Sequence, residues 1–141
     1  MLSRKFAGLA VGLVLAAGIA GTAMATTQIG PSTLTPMNAG FNTPIWSQHT
    51  AGTSYMYNQY CAVSQWDAQH YGTYSGPEVW EWMHHWPLLP STGLGDQYIS
   101  CYYSSPWYSV QQSVESGVDY SVEYRSQNLY TNTYKVTYPG S

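Results

Sequence analysis

The strongest constraint on this chain is a two-residue alternation running through its C-terminal third. Tyr108, Val110 and Val114 alternate with Ser109, Gln111 and Ser113; Val118, Tyr120, Val122 and Tyr124 with Asp119, Ser121, Glu123 and Arg125; Tyr134, Val136 and Tyr138 with Lys135 and Thr137. Successive side chains of an extended strand point to opposite faces, so the pattern demands strands with one buried and one wetted face. The β-branched and aromatic residues at the apolar positions favour the same state. A helix cannot gather such a series on one side.

Turn signals then suggest a register. A two-residue Ser116-Gly117 loop would put the apolar faces of the first two strands on opposite sides of a sheet. A three-residue loop, Glu115-Ser116-Gly117, pairs Val114 with Val118 and Val110 with Val122, and places Gly117 where such a hairpin needs a left-handed residue. A loop from Gln127 to Thr131 aligns Tyr124 with Tyr134 and Val122 with Val136, and sets Glu123 opposite Lys135. The expectation is a three-stranded meander. Its outer face of Ser, Gln, Thr and few charges is solvated and offers no aromatic platform.

Upstream, Thr53 to Gln65 reads as a strand, with Tyr55, Tyr57, Cys61 and Val63 on one face and Met56, Tyr60 and Ala62 on the other. Two apolar faces place it centrally in a sheet. Gln97 to Tyr103 reads as another strand, with Ile99, Cys101 and Tyr103 on a face. Between them Trp80, Trp82, His84 and Trp86 alternate like a strand, but the flanks favour a helix over about 76–86. Ser75 and Glu78 have capping-box spacing, Tyr74 and Val79 sit at staple positions, Pro77 falls in the first turn and Pro87 ends the segment. His84 and His85 would lie in its last turn, and Val79, Trp82, Met83 and Trp86 would be its buried stripe.

Residues 26–50, with Pro31, Pro36 and Pro44 and no period, read as an extended N-terminal arm that docks near Ile45 and Trp46. The fold expected is mainly β: a small antiparallel sandwich with a C-terminal meander and one short helix, forming a single domain over 51–141.

The first residues follow a different logic. Arg4 and Lys5 precede an apolar stretch from Phe6 to Gly21 and then Ala23-Met24-Ala25, the pattern of a secretory signal peptide cut after Ala25. The chain turns polar at Thr26, so the apolar run falls short of a transmembrane span, and none is expected after cleavage. Loss of residues 1–25 leaves Arg125 and Lys135 against seven acids and moves the net charge from −3 to −5. Export also carries Cys61 and Cys101 into an oxidising space, where pairing is the default.

Composition narrows the function. Only 11 of 141 residues are Asp, Glu, Lys or Arg, against about a quarter in an ordinary domain. Neutralising phosphates takes clustered cations, so nucleic acid is excluded as a partner, and polybasic attraction to anionic lipid or wall polymer is excluded as a main driving force. Zinc or copper could take ligands from His49, His70, His84, His85, Asp67 and Glu81, but the spacing of a strong metal motif is absent. No metal and no cofactor is expected. Nucleophile elbow, metalloprotease helix and phosphate loop are likewise absent, so a secreted hydrolase, with Asp67 and Glu81 as the acids to vary, is the weaker reading.

Aromatic clustering is the better lead. Trp66, Tyr71, Tyr74, Trp80, Trp82, Trp86, Tyr102, Tyr103, Trp107 and Tyr108 are more rings than a core of this size readily hides, and Tyr and Trp are enriched at interfaces. Ring faces stack on sugar C–H surfaces without any need for charge. Exposure separates this use from plain core filling. The reading is a secreted, extracellular, non-enzymatic binding protein for a cell-wall glycan or envelope protein, with Trp66, Tyr71, Trp80, His84, Tyr103 and Trp107 as ligand-binding candidates. In size, export signal and aromatic β character the chain also loosely resembles the lactococcin 972 type of bacteriocin, though it shares no motif with it. That resemblance implies an antimicrobial acting at another cell's envelope.

Overall fold

The structure, a computed structural model, describes residues 25–140. The expected signal peptide lies outside the described residues except for Ala25. Eight strands and one helical turn follow in the order β1 (Thr26–Leu34), β2 (Trp46–Gln48), β3 (Gly52–Ala62), α1 (Gln65–Ala68), β4 (Tyr74–His85), β5 (Thr92–Tyr102), β6 (Tyr108–Val114), β7 (Val118–Tyr124) and β8 (Thr131–Pro139). They form two antiparallel four-stranded sheets, the first ordered β1-β8-β3-β6 and the second β2-β7-β4-β5. The expected antiparallel β sandwich is what the chain adopts, with one short helix at a different place in the sequence.

Alternation assigned the inward faces of the C-terminal strands correctly. Val114, Tyr120, Val122, Tyr124, Tyr134 and Val136 are buried and join Met37, Trp46, Met56, Trp80, Trp82 and Leu129 in one core. The meander itself does not form. β6 pairs with β3, β7 with β2 and β4, and β8 with β1 and β3, so each link between successive strands crosses from one sheet to the other. A strand's period fixes which side chains face inward, and a strand in either sheet of a sandwich satisfies that equally. Gly117 does take the left-handed conformation, φ 77°, but at a link between sheets, where its N–H donates to the Gln48 carbonyl. Glu123 and Lys135 therefore sit on different sheets and do not pair.

The helix expected over 76–86 is strand β4. Trp80 and Trp82 are both fully buried, as alternation required, while Trp86 is exposed and Val79 and Met83 are only partly covered. Tertiary pairing on both sides, to β5 and β7, overrides the local cap signals. Pro77 is accommodated just after a register shift between Tyr74 and Gly76, with Gly76 at φ 117°. The helix that does occur is α1, where Ser64 caps the turn: its hydroxyl accepts from the Asp67 N–H at 3.2 Å and donates to the Asp67 carboxylate at 2.7 Å.

The expected N-terminal arm is extended but integral to the sandwich. β1 and β2 are edge strands of the two sheets, and Trp46 is buried whereas Ile45 is exposed. Thr26 pairs with Pro139 and the Gly140 N–H donates to the Ala25 carbonyl, so the two ends of the described chain lie side by side.

β3 is an interior strand, as its two apolar faces implied, but its faces switch partway. Ser54, Met56 and Asn58 point into the core and Tyr55 and Tyr57 outward; then Tyr60 at φ 53° and a register shift between Gln59 and Ala62 turn Cys61 inward. Cys61 meets Cys101 of β5 in a disulfide with Cα atoms 5.7 Å apart, which joins the two sheets. Toward the other end of β3, the Trp82 indole N–H donates to Ser54 Oγ at 3.0 Å, a second link between them.

Candidate functional site

The reversal in β3 places Tyr55 and Tyr57 on the outer face of the first sheet. Their ring centroids are 6.1 Å apart, and the Trp107 ring stands edge-on to Tyr57 at 6.4 Å. Lys135 projects from β8, whose residue pairs with Tyr57, and its ammonium lies 4.9 Å from the Tyr57 ring centroid and 4.4 Å from that of Trp107. Such contacts hold a cation by the quadrupole of the ring. At the Tyr55 end the row opens into a groove of about 380 Å³ whose walls include Thr26, Gly52, Tyr55, Tyr57, Thr137 and Pro139.

At the Trp107 end the surface continues into the β5–β6 connection. Gln59 donates from its amide to the Ser105 carbonyl, and the Tyr71 hydroxyl accepts from the Ser105 N–H at 3.2 Å and bonds Ser105 Oγ at 3.0 Å. Those bonds hold the Tyr71 hydroxyl below the usual phenol pKa. Tyr103 packs edge-on against Tyr60 at 5.2 Å, and its backbone is tied to Gly72 and Thr73. Trp66 of α1 stacks on His70 at 3.7 Å and remains 62% exposed.

Four of the six expected binding residues, Trp66, Tyr71, Tyr103 and Trp107, thus belong to β3's far end and the loops beside it. The other two do not join them. Trp80 is buried, edge-on to Tyr124 at 5.1 Å, and is a core residue. His84 lies at the opposite end of β4, about 30 Å of strand away, stacked on Trp86 at 3.9 Å.

Tyr55, Tyr57 and Lys135 were missed as site residues for definite reasons. The tyrosines were visible in the alternation, but an unbroken period put them on the side of Cys61. The expected meander sets Glu123 opposite Lys135 and so gives the lysine a partner that the structure does not. The outer face without an aromatic platform is also corrected: the rings come from β3 and Trp107, and β3 lies between β6 and β8.

A second surface lies around the β4–β5 hairpin tip. A groove of about 340 Å³ is lined by His84, His85, Trp86, Pro87, Glu115 and Asp119, among others. Beyond it, Leu88 and Leu89 are 96% and 67% exposed. His85 Nε2 bonds Ser121 Oγ at 2.7 Å. Adjacent residues of a strand face opposite ways, so His84 and His85 do not converge. Among the described residues, no three His, Cys, Asp or Glu side chains are placed to hold a metal ion, and no helix is long and apolar enough to cross a membrane.

The two acids considered for hydrolysis are engaged elsewhere. Asp67 is taken up by the α1 cap, and Glu81 pairs with Arg125 at 3.3 Å in a cluster that also holds Asp96 at 3.3 Å and Glu123 at 3.6 Å. No family model matches the chain, and neither a curated protein nor a solved structure gives a match.

Proposed function

We propose that this protein is a secreted, non-enzymatic binding module that takes an envelope glycan along the outer face of its first sheet, after cleavage behind Ala25. The observation that supports this most directly is the row Tyr55, Tyr57 and Trp107 beside an open groove. Half-exposed rings on a rigid sheet lose little conformational freedom when a sugar stacks on them. The neighbouring Thr, Ser and Gln side chains supply donors and acceptors for hydroxyls.

Retention on insoluble cell-wall polysaccharide tests the reading. The mature chain should be pulled down, and Tyr57→Ala with Trp107→Ala should weaken retention at least tenfold, because burying a large apolar side chain contributes about 1.5–3 kcal/mol and about 1.4 kcal/mol is tenfold in affinity. A chain retained by no polysaccharide, or a double variant that binds like the parent, would sink it. One observation favours a second reading. The apolar Leu88-Leu89 tip suits an envelope-active antimicrobial, since exposed apolar patches mark interaction sites.

A further inference from the structure

We propose that the aromatic surface of the first sheet selects anionic saccharides, with Lys135 reading the charge. This rests on the glycan-binding role proposed above and adds the class of sugar to it.

Charge is segregated between the two sheets. β1, β3, β6 and β8 contain no Asp or Glu, and Lys135 is their sole Lys or Arg. Glu78, Glu81, Asp96, Asp119 and Glu123 all belong to strands of the second sheet. The remaining acids, Asp67 and Glu115, lie in α1 and in the β6–β7 link. A chain acidic overall therefore keeps one face free of acids among the described residues and puts there the Lys135 ammonium, which forms no ion pair among them.

Lys135 is also held in a working position. Arg125 takes the ion pairs formed among the described residues, including the one with Glu123. The Lys135 ammonium has no carboxylate within ion-pair reach among those residues, and two ring faces pin it beside the row. The outward neighbours on β8, Thr133 and Thr137, are uncharged, as are Gln59 of β3 and Ser109 of β6. A sugar stacked on Tyr57 or Trp107 would bring a ring substituent to the ammonium, whose N–H groups are donors without a competing acid. A carboxylate, sulfate or phosphate completes that arrangement; a neutral hydroxymethyl leaves the charge unanswered. One lysine on an aromatic base is a local readout, distinct from polybasic attraction, and it works against the net charge of the chain.

Matched polymers test this. Affinity electrophoresis would compare polygalacturonate with its carboxyl-reduced form and dextran sulfate with dextran, using the mature chain, Lys135→Met and Lys135→Arg. Methionine keeps an apolar stem on the rings, and the position faces solvent, so melting curves of the variants should match the parent. The parent should bind at least one anionic polymer tenfold or more tighter than its neutral counterpart. Lys135→Arg should keep the preference, and Lys135→Met should lose it while retaining the weaker neutral binding. Preference for one anion over the other supports the proposal and identifies the group read. Equal binding within each pair, or a preference that survives Lys135→Met, overturns it and leaves the glycan-binding role standing. No binding to any of the four polymers, together with no retention on wall polysaccharide, overturns that role itself.

Discussion

Glu78 brings a carboxyl group into the interior of the second sheet, where Ser75 and Tyr124 close around it and, among the described residues, no cation pairs with it. Burial pushes its pKa up, and the bonds with Tyr124, Ser75 and Ser126 offset part of that. Burial and the same carboxyl push the Tyr124 phenol up as well. Counting protons favours the neutral acid. Ser75 lies within bonding distance of both Glu78 Oε1, at 2.9 Å, and the Cys101 carbonyl, at 3.1 Å, yet has one hydrogen to give. A protonated Glu78 donates to Ser75, frees that hydroxyl for Cys101, and accepts from Tyr124 on its other oxygen. A carboxyl whose pKa is raised in the folded state contributes most when it is protonated. Stability should thus fall as pH rises from the ordinary carboxyl range, about 4.3, through the folded pKa. Glu78→Gln keeps an acceptor for Tyr124 and a donor for Ser75. It should match the parent near pH 4 and melt higher at pH 8, read from melting curves at intervals between; parallel pH profiles would refute the assignment. The sequence did point to this pair, since Ser75 and Glu78 stood out by their spacing. It did not distinguish a helix cap from a side-chain bond across a bulged strand.

β4 shows how far an element can be read from its own residues. Its alternation of Trp80 and Trp82 was plain, but the cap, staple and proline signals at its ends were local, and the pairing to β5 and β7 that outweighs them was not visible in sequence. β3 shows the complementary limit. One residue, Tyr60, in a left-handed conformation shifts the phase, so the tyrosines before it face solvent and the cysteine after it faces the core. No period of 2 anticipates that. The β4–β5 tip was not read from sequence either: Pro87-Leu88-Leu89-Pro90 stands in solvent. Leu88→Ser combined with Leu89→Ser should change folding stability by no more than about 0.5 kcal/mol. If the tip serves an antimicrobial role, the same pair should abolish growth-inhibition zones made by the parent on related strains. Undiminished zones would dissociate the tip from that role.

Across the whole molecule, β4 and β5 are the sole sequence neighbours that pair among the described residues; every other pairing joins strands distant in the chain. Such topologies fold slowly, because loop closure must precede the contacts that reward it. The disulfide acts at this scale. By closing a 40-residue separation, it should stabilise the fold by about 4 kcal/mol in the chain-entropy model. Replacing both cysteines with alanine should lower the melting temperature by roughly 15 °C, measured by calorimetry; a shift of a few degrees would mean that the sheets hold without it. The pairing of Cys61 with Cys101 was legible from their number and the expected compartment. The sheet to which each strand belongs was not, because alternation records an inward face and not a partner. The union of β1 with β8 carries a further consequence. Ala25, Thr26 and Pro139 all line the groove beside Tyr55, so both ends of the described chain come to rest at one wall. Cutting behind Ala25 would leave an α-ammonium on Thr26 there, with an ordinary pKa near 8, opposite Pro139 and about 13 Å along β8 from the Lys135 position, too far to share its local readout. A precursor, a trimmed chain and an N-acetylated one would present three different walls at this groove, so its surface would differ with the covalent history of the chain.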